Sequence, residues 1–333
     1  MTPRVRYIAL FAVLLTLFIT FFFRTPAPRP FDTQYGRLDQ AVAPSPSAIA
    51  TFLTGGATPA DAKNENDFYY LATRTLGYQL LHDTATRCNS SIPFLVLVTS
   101  DVPSAKRDRL AKDGATVVQV EDVPLPWWVK TGVTRWKDQF AKLRLFEMTD
   151  YERILFIDAD TLITRPICPI FEDERIQAPM TALAHRTGQV KSDEAPLPAQ
   201  YVFAARSDNA LTGERDHPFP PPPTTIFTAG FWLAAPSKEM YRYLMSVTSH
   251  YRRFDPHTME QSLLNYAFRR DGAMPWFELD YMWSATWPSL RDFKGGVASL
   301  HEKFGMTGPD ELRAIWEEAK GKMQKYYETT EAR

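Results

Sequence analysis

Cysteine is nearly absent from this chain: Cys88 and Cys168 are the only two in 333 residues, which excludes a disulfide framework and a cysteine-rich zinc site. They leave room for one disulfide, which the sequence alone does not decide. Neither sign of charge dominates, with 38 basic against 39 acidic residues, so nothing general favours nucleic acid as a partner. No serine nucleophile elbow, phosphate-binding Walker loop or dinucleotide glycine fingerprint occurs, and no segment repeats. Long apolar runs are also missing, except one. Tyr7 to Phe23 is apolar apart from Thr16 and Thr20, follows Arg4 and Arg6, and at ~1.5 Å per residue would span roughly 26 Å. Bulky Phe21, Phe22 and Phe23 stand where a signal peptidase needs small side chains, so the run reads as an uncleaved anchor. Residues 1–6 are then a cytoplasmic tail, 7–23 a transmembrane helix, and the rest luminal. The Asn89-Ser90-Ser91 sequon fits that side of the membrane.

What is present has a clear grain. Residues 24–66, rich in Pro, Ala, Ser, Thr and Gly, read as a stem. From 67 to 333 apolar runs alternate with amphipathic segments, the pattern of an α/β domain around a largely parallel sheet. Strands are expected at Phe68–Thr73, Pro93–Thr99, Ala115–Glu121, Arg153–Asp160, Ile226–Ala235 and Val297–His301. Helices are expected at Leu76–His82, Pro103–Asp113, Arg135–Asp150, Ser237–Tyr251, Thr258–Arg270 and Asp310–Glu328. Arg186 to Pro223 reads as a long loop.

The chemistry concentrates where the buried strand Arg153-Ile154-Leu155-Phe156-Ile157 ends in Asp158-Ala159-Asp160. In an extended segment residues i and i+2 point the same way, so both carboxylates can face one hard cation, Mn²⁺ or Mg²⁺, with Ala159 leaving room. By itself such a pair more often begins a turn. Its surroundings add weight: Lys142-Leu143-Arg144-Leu145-Phe146, then Tyr151-Glu152-Arg153, then Ile154 through Leu162 together resemble glycosyltransferase family 8, the glycogenin-like group. The likeness runs from about Phe68 to about Phe304.

That resemblance implies a single GT-A (Rossmann-like) domain binding a UDP-sugar with Mn²⁺ and transferring the sugar with retention. It makes Asp158, Asp160 and His301 the metal ligands. Leu71, Thr73, Lys142, Asp158, Ala159, Asp160, Thr228, Gly230 and Lys303 become donor-binding residues, and Gln261 with Glu260 the catalytic pair. Thr228 stands where the family has asparagine, and Glu260 where it has aspartate. A hexose or N-acetylhexosamine passing to a glycan or glycoconjugate in the Golgi, or in another membrane of the secretory pathway, is the expected reaction. The chemistry requires such a set, because the departing nucleoside diphosphate gains negative charge that a divalent cation and lysines can stabilise. Trp127 and Trp128, or Trp276, Tyr281, Trp283 and Trp287, could stack on the acceptor sugar or be ordinary core. Two rivals are a haloacid-dehalogenase-type phosphatase with Asp158 as nucleophile, and an inactive luminal sugar-binding scaffold.

Overall fold

The computed structural model describes residues 46–331 apart from 57–62, 65, 89–90, 132–133, 184–185 and 187–189. The expected tail, the membrane segment 7–23, and Asn89 and Ser90 of the sequon lie outside the described residues. Among the described residues no helix is long and apolar enough to cross a membrane.

Twelve strands occur along the described chain: β1 (Ser47–Leu53), β2 (Phe94–Val98), β3 (Thr116–Gln119), β4 (Arg153–Ile157), β5 (Thr161–Ile163), β6 (Met180–Thr181), β7 (Gln200–Tyr201), β8 (Phe203–Ser207), β9 (Phe227–Ala234), β10 (Phe277–Glu278), β11 (Ala285–Thr286) and β12 (Ser299–His301). Helices are α1 (Phe68–Leu81), α2 (Ser104–Lys112), α3 (Glu174–Gln177), α4 (Lys238–Ser249), α5 (Met259–Ala267), α6 (Leu290–Gly295) and α7 (Asp310–Glu331). The main sheet has seven strands in the order β10-β8-β9-β4-β1-β2-β3. β1 to β4 are mutually parallel, whereas β9 runs antiparallel to both β4 and β8. A small sheet, β11-β12-β5, and the ribbon β6-β7 complete the set.

Parallel neighbours need long crossovers, and α1, α2 and a 3₁₀ helix (Thr134–Glu147) supply them between β1, β2, β3 and β4. From β1 the chain winds outward to β2 and β3, then returns to β1's other flank as β4. Strand order therefore reverses between β1 and β4, and ligands collect at the carboxyl edge of such a switch point. Asp158 follows directly on β4 at that edge.

Three expectations need correction. The segment read as stem contains an internal strand, since Ser47–Leu53 lies between β2 and β4 and is almost wholly buried. Only Ile49 and Leu53 of its seven residues are large aliphatics, and it adjoins Pro44 and Pro46, so it lacks the aliphatic density that marks a buried strand. Conversely, Phe68–Thr73 is not a strand but the first half of α1. Its aromatic and β-branched residues favour strands locally. The Asp67 carboxylate nevertheless caps the helix by accepting from the Tyr70 amide, and the helix is buried on more than one side, with Tyr70, Leu76 and Leu80 in the main core and Ala72 in a second cluster with Leu162 and Trp316. Finally, the supposed loop 186–223 contains β8, an internal strand of the main sheet. Its Arg206 disguises it, because that side chain is buried and neutralised by Glu278, 72 residues away, at 2.6 Å.

The segment expected as a long helix at 135–150 is the 3₁₀ helix 134–147. At three residues per turn, Phe140, Leu143 and Phe146 share one face, and all three are buried. Phe146 and Phe156 stack on Trp232 of β9, which locks this segment against the sheet. Cys88 and Cys168 form a disulfide with Cα atoms 5.6 Å apart, tying the approach to β2 to the segment after β5.

Candidate active site

Three elements bring the expected metal ligands together. Asp158 is fixed by its own amide, which donates to the Gly230 carbonyl across the antiparallel β4–β9 pair at 2.9 Å. Asp160 opens β5, and β12 pairs antiparallel with β5 so that His301 lies opposite Thr161. One ligand atom from each of Asp158, Asp160 and His301 lies within 4.8 Å of the others. His301 Nε2 is 3.1 Å from Asp160 Oδ1 and 3.6 Å from Asp158 Oδ2. Two carboxylates and an imidazole are a donor set suited to a divalent cation.

The electrostatics support that fit. Burial would lower the His301 pKa, but Asp160 and then Asp158 outweigh it and raise the value to about 9. His301 in turn holds the buried Asp160 below the usual carboxylate range, against the upward push of desolvation. A positive charge is favoured where these three side chains meet, whether a proton or a metal ion carries it. His301 Nδ1 is buried without a hydrogen-bond partner among the described residues. Gly230 makes the approach possible: a Cβ there would stand 2.5 Å from His301 Cε1 and 2.9 Å from Asp158 Oδ2. Its family-like position is thus explained by space, since any side chain would displace both ligands.

Behind this trio lies a second charged layer. Lys142 is buried, and its ammonium donates to Asp158 Oδ1 at 2.8 Å and Glu260 Oε1 at 2.9 Å. Desolvation would lower its pKa, but the two carboxylates raise it well above the lysine norm. Glu260 is 2% exposed and its pKa is raised by burial, with Lys142 offsetting part of that rise. Glu260 therefore faces Lys142 and not the cleft, contrary to its expected place near the acceptor. Lys142 orients one Asp158 oxygen while the other faces His301, so both oxygens of Asp158 are engaged. Attack on phosphorus, as the phosphatase reading needs, would require one of those oxygens to be free.

In front lies a cleft of about 290 Å³ lined by Asp160, Thr228, Gln261, His301 and Lys303 among others. Gln261 of α5 is held from both ends, its Oε1 accepting from the Ala229 amide at 3.0 Å and its Nε2 donating to Asp208 at 3.4 Å. Thr228 is buried in β9 and its hydroxyl accepts from the Gly230 amide at 3.2 Å. Ala159 is buried between the two aspartates. Lys303 is exposed at the rim, and it makes no ion pair among the described residues.

Leu71 and Thr73 are not at this site. Both lie in α1, and Thr73 is fully buried with its hydroxyl donating to the Tyr69 carbonyl at 2.8 Å. The strand end expected to carry them is that of β1, so Thr54-Gly55-Gly56 emerges on the Asp158 edge instead. Of the aromatic candidates, Trp287 lines the cleft, Trp128 and Trp276 are core, and Trp127 is 79% exposed and stacked on Tyr251 away from the cleft-lining residues. Two cleft carboxylates escaped assignment from the sequence. Asp208 ends the unrecognised strand β8, and Glu302 is engaged by Arg215 at 2.6 Å, a partner far away in the chain. A buried strand ending in Asp would have flagged Asp208, had Arg206 not masked the strand.

No protein-family model matches the chain. It is 29% identical over 327 residues to an uncharacterized protein of Schizosaccharomyces pombe (strain 972), covering 87% of this chain and 84% of that one. It is also 26% identical over 187 residues to galactinol synthase 1 of Ajuga reptans, covering 55% of this chain and 53% of that protein. Shorter stretches match glucuronosyltransferases of Arabidopsis thaliana. The galactosyltransferase LgtC, solved with donor and acceptor sugar analogs, superposes with a TM-score of 0.47 at 15% identity, covering 83% of this chain and 95% of that one. The chain is therefore similar in sequence to enzymes of glycosyl transfer.

Proposed function

We propose that this protein is a metal-dependent glycosyltransferase that moves a hexose or N-acetylhexosamine from a UDP-sugar to a glycan or glycoconjugate, with retention, through a GT-A-type domain. One observation carries the reading: Asp158, Asp160 and His301 converge at the carboxyl edge of β4, beside a cleft of monosaccharide size. Similarity to glycosyltransferases supports the reaction class. Asp158, Asp160 and His301 would hold Mn²⁺ or Mg²⁺, and a cation bound there would supply charge stabilisation to the leaving diphosphate. Lys142 keeps Asp158 oriented, and Glu260 anchors Lys142. Lys303, at the rim with no protein counter-ion among the described residues, is the side chain available to meet a phosphate oxygen. Gln261 and Thr228 form the wall against the sugar. A doubly engaged amide such as Gln261 is a poor nucleophile, so its role is to position.

A luminal site in the secretory pathway, with the N-terminal apolar run as anchor, is part of the same proposal. The Cys88–Cys168 disulfide supports it, because such bonds persist in oxidising compartments. The test is a UDP-sugar turnover assay with metal control. EDTA should abolish release of UDP and Mn²⁺ should restore it, while Asp160→Ala should remove both metal binding and turnover. Undiminished turnover in EDTA or in Asp160→Ala refutes the proposal. Tight UDP-sugar binding with no turnover on any acceptor would favour the sugar-binding scaffold.

A further inference from the structure

We infer that Asp208 selects the donor sugar by charge, accepting hydroxyls of a neutral hexose and rejecting a uronic acid; this rests on the glycosyl-transfer reading above. Asp208 follows β8 and is 8% exposed, yet it lines the cleft. Its Oδ1 accepts from the Ala210 amide at 3.0 Å and caps the turn that follows. That bond accounts for one oxygen. The other, Oδ2, receives among the described residues only the long 3.4 Å contact from Gln261. A carboxylate offers about four lone-pair sites, so a buried one with two weakly used sites has capacity for further donors, and sugar hydroxyls are such donors.

The charges around it decide which sugar fits. Asp208 makes no ion pair among the described residues. Glu302, the other cleft carboxylate outside the metal trio, is already engaged by Arg215 and accepts from Thr307. Arg215 itself stacks over Trp287, 4.9 Å from its ring centre, so it is committed on both sides. Lys142 is occupied by Asp158 and Glu260. Lys303 is the one cleft cation with no counter-ion among the described residues, and the diphosphate claims it. The cleft wall at Asp208 and Gln261 thus keeps a negative side chain with no cation in reserve among the described residues. A carboxylate on the sugar would meet Asp208 as a like charge in a water-poor wall, whereas a hydroxymethyl group would meet a hydrogen-bond acceptor.

Titration calorimetry of the full chain with excess Mn²⁺ tests this, using UDP, UDP-glucose, UDP-galactose and UDP-glucuronate as probes. At least one UDP-hexose should bind about tenfold or more tightly than UDP-glucuronate. Asp208→Asn should shrink that ratio severalfold, with folding of the variant checked by its melting curve. Lys303→Ala should weaken every UDP compound alike. Equal or tighter binding of UDP-glucuronate by the unaltered protein overturns the inference, as does a Lys303→Ala loss confined to UDP-glucuronate. UDP itself separates the two levels of argument. Failure of UDP to bind with Mn²⁺ overturns the glycosyl-transfer reading, whereas UDP binding without hexose preference overturns only the selection by Asp208.

Discussion

Replacing Lys142 with methionine keeps the length of the side chain and removes one buried charge. Glu260 then loses the one cation it pairs with among the described residues, with Oε1 no longer accepting from the ammonium and Oε2 already without a partner among them. Burial already raises the Glu260 pKa, and without Lys142 that rise loses its main offset, so the charged form of Glu260 is disfavoured in the folded variant. Removal of one partner from buried ion pairs in general costs about 3–5 kcal/mol, which sets the expected deficit. The measurement is urea unfolding followed by tryptophan fluorescence, comparing free energies at constant m-value. Raising the folded pKa of an acid removes stability as pH climbs from the unfolded value toward the folded one, so the deficit should narrow as pH falls to about 4. Adding Glu260→Gln to Lys142→Met should recover most of the loss, since the amide carries no charge to neutralise. A deficit below about 1 kcal/mol at pH 7.5, or no recovery in the double variant, would refute the account of a buried Glu260–Lys142–Asp158 relay.

Other expectations follow from the same geometry. Gly230→Ala should cut Mn²⁺ affinity by at least about tenfold, read by paramagnetic resonance of free Mn²⁺, because its Cβ would stand 2.5 Å from His301. Unchanged affinity would mean that His301 is not a ligand. Asp138, pushed up to about 6 first by burial and then by Asp122 and Asp101, favours its protonated form when folded, so its charge weakens the fold above that pH. Asp138→Asn should therefore raise the melting temperature at pH 7.5 and leave it nearly unchanged at pH 4; the opposite order would reverse the assignment. Reducing the Cys88–Cys168 bond, which spans a sequence separation of 80, should cost about 4 kcal/mol on the loop-entropy estimate. Matching urea midpoints with and without reductant would show that the bond does not constrain the unfolded chain.

Local chemistry was enough for the sequence to announce the two aspartates behind an aliphatic strand, the helix before α5's Gln261, and the general α/β alternation. In each case the signal lies within a few neighbouring residues: a continuous apolar run, a cap, or carboxylates two positions apart. His301 was reachable through resemblance, but its distance from Asp160 follows from the pairing of β12 with β5, more than a hundred residues apart. The internal strand Ser47–Leu53 was hidden because it has only two large aliphatics, Ile49 and Leu53, and its place in the sheet comes from β2 and β4 on either side. Arg206 made β8 look like loop until Glu278 folded over it, and losing β8 also lost Asp208. Glu260 reads as an exposed catalytic acid by position, yet the approach of Lys142 from the 3₁₀ helix turns it into an internal counter-charge. Desolvation and charge pairing depend on which distant segments pack together, so tertiary structure alone decided which acids of this chain face the cleft and which are spent inside the fold.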